Sequence, residues 1–81
     1  NYGFQDNTSK DPYERALLMA KKAVEIDDRD ARCRTALSYA YLGVEDWISA
    51  IDEAERAIEL NPSSADATLA LATAFVHVGR V

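Results

Sequence analysis

Displaced by 34 residues, this chain matches itself along a row of alanines. Ala16 falls on Ala50, Ala20 on Ala54, Ala23 on Ala57, Ala31 on Ala65, Ala36 on Ala70 and Ala40 on Ala74. Glu25/Glu59, Leu37/Leu71 and Val44/Val78 are also identical, and Leu17/Ile51, Val24/Ile58 and Tyr41/Phe75 keep their character. A period of this length limits the chain to a stack of like units. Each unit is too small to bury both of its apolar faces, so stability comes from stacking one on the next. Residues 1–10 lack the register. Gly3, Asn7, Thr8 and Ser9 there read as a loop, and 1–11 as an irregular or frayed arm.

Within each period the pattern is helical. Asp11-Pro12 with Glu14 is a helix start: a capping carboxylate, a proline fit for the first turn, and an acid at capping-box spacing. Tyr13, Ala16, Leu17, Ala20, Ala23 and Val24 follow at intervals of three and four, the stripe of a helix with one buried face. Asp27-Asp28-Arg29-Asp30 ends it, and Asp30 is placed to cap a second helix. That helix carries Leu37, Ala40 and Tyr41 on one face and Thr35, Tyr39 and Leu42 on another. A turn is expected from Gly43 to Asp46. A third helix from Trp47 buries Ala50, Ile51, Ala54, Ala57 and Ile58. Asn61-Pro62-Ser63-Ser64 stops it, Ser64 caps a fourth helix with Leu69, Leu71, Ala72, Phe75 and Val76, and Gly79 ends that one. Short connections make neighbouring helices antiparallel. Small alanines let them approach, and Leu37, Tyr41, Trp47 and Phe75 fill the remaining space.

Composition narrows the function. A net charge of −5 lacks the basic footprint of a nucleic-acid binder and disfavours an anionic membrane surface. No apolar run approaches the ~18 residues of a spanning helix. Cys33 is the only cysteine, so no internal disulfide exists, which fits a reducing, cytoplasmic compartment.

Residues 31–64 resemble the tetratricopeptide repeat. A large apolar residue is followed by a small one (Leu37, Ser38), with an aromatic one turn on (Tyr41). Small residues stand at Ala50 and Ala57, and Pro62 closes the unit. The next unit opens the same way with Leu71, Ala72 and Phe75. Departures are Arg34 and Thr68 where that family often has tryptophan, Ala20 and Ala54 where it often has a ring, and Asp28 in place of a closing proline. The resemblance implies an all-α fold: antiparallel helix-turn-helix repeats stacked as part of a right-handed α-solenoid. Residues 12–30 would be the second helix of a first unit, 31–64 a complete unit, and 65–81 the first helix of a next. A start at Asn1 and an end at Val81 inside an apolar pattern make the chain read as a piece of a longer repeat protein.

The resemblance also implies a function, a non-enzymatic scaffold holding a peptide or protein segment on a concave face. Carried over by position, that face holds Arg32, Thr35, Tyr39, Leu42, Asp66, Leu69, Thr73 and Val76. Their spacing of three and four places them together, away from Leu37 and Tyr41. Tyr39, Leu42, Leu69 and Val76 equally suit a core covered by other parts of the parent. Repeats that grip acidic chain ends do so with a basic cluster. Here only Arg32 is basic and Asp66 would oppose a carboxylate, so no acidic-tail clamp is expected. Two other readings stay open. One is a non-catalytic segment of a larger bacterial signalling enzyme or regulator. The other is self-association, a homodimer through the last helix by Leu71, Phe75 and Val78.

Catalytic chemistry has no constellation here. His77 is the sole histidine, with no ligand triad around it, and reads as a surface or inter-repeat residue. Cys33 lies between Arg32 and Arg34, a setting that favours a thiolate, but it also falls where alanine packs between helices. Asp27, Asp28 and Asp30 lack the glycine and distal glutamate of a calcium loop and read as caps. Asp52, Glu53, Glu55, Arg56 and Glu59 read as a solvated face, with Asp52–Arg56 a pair across one turn. No metal or cofactor is expected.

Overall fold

The structure, a computed structural model, describes residues 11–79. Four helices make it up, with no strand among the described residues: α1 (Pro12–Ile26), α2 (Ala31–Gly43), α3 (Trp47–Leu60) and α4 (Ala65–Val78). The arm expected over 1–11 lies outside the described residues except for Asp11. No helix is long and apolar enough to cross a membrane.

Each helix begins on an oxygen-bearing side chain that accepts an otherwise unpaired amide of the first turn. Asp11 accepts from the Glu14 amide at 2.8 Å, Asp30 from Arg32 at 2.8 Å and Ser64 from Ala67 at 3.1 Å. Asp46, expected only as part of a turn, also caps. Its carboxylate takes the Ser49 amide at 3.2 Å and the Ser49 hydroxyl at 2.8 Å.

The connections at 27–30 and 61–64 are the same turn built 34 residues apart. Asp27 has φ −145°, ψ 90°, and Asn61 has φ −146°, ψ 89°. Each side chain accepts the amide two residues on, Asp27 from Arg29 and Asn61 from Ser63, both at 3.2 Å. Such Asx turns explain why Asp and Asn interchange here. The connection at 44–46 departs from expectation. Gly43 is the last residue of α2, and the left-handed residue is Glu45, at φ 64°. Gly43 is small for another reason: a Cβ there would lie 2.8 Å from the Tyr13 ring.

Consecutive helices pack on one another, and α2 also touches α4. Ala50, Ala54 and Ala57 of α3 and Ala67, Ala70 and Ala74 of α4 are fully buried. Side chains of one carbon hold these helices close. Leu37 is buried with Ala20 and Val24 between α1 and α2, with Leu17, Cys33, Ala40 and Tyr41 packed around them. Burying a leucine contributes about 2 kcal/mol. Ser38 is also fully buried, and its hydroxyl donates to the Ala50 carbonyl at 2.7 Å, so it costs no unpaired polar group.

Several expected core residues are not core. Ala16 of α1, and Ala72 and Phe75 of α4, are exposed, because no described element lies over those faces; Tyr13 is exposed too, although its ring approaches Gly43 of α2. Glu53 departs in the other direction. It is not on a solvated face but pairs with Arg34 at 2.8 Å, both side chains largely covered between α2 and α3. Arg34 also donates to the Asp28 carbonyl at 3.1 Å, tying the first connection to the helix after it. Asp52 and Arg56 form the expected exposed pair, at 3.1 Å.

Candidate functional site

Four of the eight residues expected to line a binding face meet at one cleft of about 260 Å³. Arg32, Thr35 and Tyr39 come from α2, where intervals of three and four put them on one side. Asp66 comes from the first turn of α4. Asn61 and Ser64 of the preceding turn, and Ala36, complete the wall. These three were not singled out from the sequence. Asn61 and Ser64 look there like turn and cap alone, and their place beside α2 depends on how α4 packs.

The polar groups of the cleft are mostly engaged with one another. Tyr39 reaches across it and its hydroxyl donates to the Asp66 carbonyl at 3.3 Å, while its ring stays 39% exposed. Thr35 is buried, and its hydroxyl donates to the Ala31 carbonyl at 2.8 Å, so it shapes the floor without offering a free donor. Arg32 extends into solvent but is held by Asp30 through two bonds, Nε to Oδ1 at 3.3 Å and Nη2 to Oδ2 at 3.1 Å. The hydrogen bond to Arg32 holds the Asp30 carboxyl below its ordinary value. The same bond raises the Arg32 guanidinium above its own. A cleft whose cation already has a carboxylate, with Asp66 on the opposite wall, exerts little net pull on an anion.

The other four residues do not join this cleft. Leu42 is half-buried. Thr73 is half-buried too, its hydroxyl donating to the Leu69 carbonyl at 2.8 Å. Leu69 and Val76 stand exposed on α4.

A second, wider groove of about 570 Å³ runs between α1 and α2, and it is largely apolar. Tyr13, Ala16 and Met19 form one side, Ala36, Tyr39 and Gly43 the other. Tyr39 lines both hollows. The α1 contribution was missed because Tyr13 and Ala16 look like core in an amphipathic stripe, and Met19 falls outside that stripe.

Among the described residues no group of three or more His, Cys, Asp or Glu side chains is placed to hold a metal. His77 lies at the end of α4, stacked on Trp47 at 4.3 Å between centroids, with Nδ1 2.9 Å from the Thr73 carbonyl. Cys33 is half-buried against the Leu37 cluster. No protein-family model matches the chain, and no curated protein matches it.

Proposed function

We propose that this chain is a protein-interaction module of the helical-repeat kind, similar to tetratricopeptide repeats, that holds a segment of a partner protein against α2 and α4. The repeat reading is supported by structure recurring 34 residues apart: the two Asx turns, and the ring contacts Tyr13 on Gly43 and Trp47 on His77. It is supported too by α2 lying against α4, as the first helices of successive units would.

The observation that carries the binding reading is the Tyr39 ring. It is held upright by a hydrogen bond to α4 and exposed between two hollows. A tyrosine ring positioned in this way gives contact area at little further cost in rotamer entropy, which is why tyrosines anchor interfaces. The occupant is an uncharged, partly apolar segment rather than an acidic chain end, because Arg32 is neutralised by Asp30. The remaining assigned residues, Leu42, Leu69, Thr73 and Val76, would extend the surface along α4.

Selection of extended peptides from a random display library on the 81-residue chain tests this. Peptides of micromolar affinity are expected, depleted in acidic residues, and Tyr39→Ala weakens them roughly tenfold or more with helicity unchanged. Selected peptides that bind a Tyr39→Ala/Leu69→Asp variant as well as they bind the parent overturn the assignment.

A further inference from the structure

The α1–α2 groove and the bare side of α4 are halves of one contact that the molecule already contains. In α2, two residues that meet α3 are covered: Ser38, whose hydroxyl donates to the Ala50 carbonyl, is buried, and Arg34, paired with Glu53, is half-buried. The residues 34 positions later, Ala72 and Thr68, are both exposed on α4. In α3, their partners Ala50 and Glu53 are buried and half-buried beneath α2. The residues 34 positions earlier on α1, Ala16 and Met19, are both exposed. So α2 sits on the α3–α4 pair, and the corresponding seat on the α1–α2 pair is the open groove of about 570 Å³.

We infer that α4 of one copy of this chain docks in the α1–α2 groove of a second copy, head to tail, as α2 docks on α3 within the chain. Charge supports this occupant. The α2–α3 contact contains the Arg34–Glu53 pair. At the corresponding positions the arginine is Thr68 and the glutamate is Met19, so both members lose their charge together. A bare arginine against Met19, or a bare glutamate against Thr68, would strand a desolvated charge, and neither is present. The sizes agree as well. Ala72 replaces Ser38 against Ala16, whose counterpart Ala50 receives the Ser38 hydroxyl bond. Phe75, 51% exposed and three residues on from Ala72, supplies apolar area on the docking side, and Met19, 67% exposed, on the receiving side. This differs from pairing through Leu71, Phe75 and Val78, of which Leu71 and Val78 are already half-buried and only Phe75 is exposed. The two faces are distinct, so the contact does not close on itself and propagates with concentration. It does not depend on the peptide-binding reading.

Sedimentation of the 81-residue chain with Met19→Glu and Ala72→Glu variants tests it. Both substituted side chains are exposed in a single copy, so helicity by circular dichroism is unchanged. The parent is expected to grow beyond a dimer as concentration rises. Each variant alone associates roughly 100-fold more weakly, the effect of an unpaired carboxylate in an apolar contact. Mixed together, they form a 1:1 heterodimer, because Met19→Glu retains a good α4 and Ala72→Glu a good α1 groove. A parent that stays monomeric into the millimolar range overturns the inference. A Met19→Glu variant that dimerises like the parent overturns it too, since the contact is then a symmetric one between α4 helices.

Discussion

Arg34 places a full charge where two helices meet, with its side chain 15% exposed and that of its partner Glu53 13% exposed. Such a pair costs desolvation on both sides and recovers it through a bond of 2.8 Å. Its net worth is therefore small while the loss from breaking it is large. Arg34→Thr alone is expected to destabilise by about 2 kcal/mol, because Glu53 is left covered and unpaired, and Glu53→Met alone by a similar amount. The double substitution places at this contact the residues found 34 positions away, Thr68 and Met19. It should return to within about 1 kcal/mol of the parent in urea titration. Additive losses in the double variant would mean that the two side chains act separately. Arg56 and Asp52 make an equally clear bond at 3.1 Å, but both lie in solvent, where screening leaves the pair little to contribute.

At the scale of the element, the helix starts are set locally and the stops vary. Two of the three connections follow an Asx turn at Asp27 or Asn61, and each hands over to a cap three residues on, Asp30 or Ser64. The third has no such residue after α2. The chain reverses there by putting Glu45 in the left-handed region at φ 64°, where a side chain with a Cβ is strained. Glycine has no Cβ to strain. Glu45→Gly is expected to stabilise the protein by about 0.5–1 kcal/mol, read as a higher urea midpoint at unchanged slope. A lower midpoint would show that the Glu45 side chain contributes more than its backbone costs. Gly43, two residues earlier, gives no such relief. It is needed for the approach of the Tyr13 ring rather than for its own dihedral angles.

At the scale of the whole molecule, the fold is a row of helices, each resting on the next, with α2 reaching α4 as well. Only Asp66 carries a charge in α4, a helix whose exposed residues include Leu69, Phe75 and Val76. A helix so apolar is stable when covered on most sides. If head-to-tail docking provides that cover, the thermal midpoint should rise with protein concentration, since association stabilises the folded form by mass action. A midpoint unchanged across a hundredfold range would mean that one copy supplies all the stability it has.

The sequence alone determined whatever depends on near neighbours: the four helices, the caps at Asp11, Asp30 and Ser64, the break at 27–30 and 61–64, and the alanine positions of α3 and α4. Those follow from hydrogen bonds spanning two to four residues and from a helical period of 3.6. Three of the proposed face residues, Arg32, Thr35 and Tyr39, could be grouped in the same way, because one helix face holds them; Asp66, on another helix, was joined to them only through the repeat resemblance. What the sequence could not decide was which apolar face meets another helix. Tyr13, Phe75 and Leu69 have the same pattern as Leu37 and Ala70, and Glu53 the same pattern as the solvated Asp52. Only the three-dimensional arrangement separates them, because burial depends on what lies across the gap. For Glu53 that is Arg34, 19 positions away; for Phe75, no described element covers it.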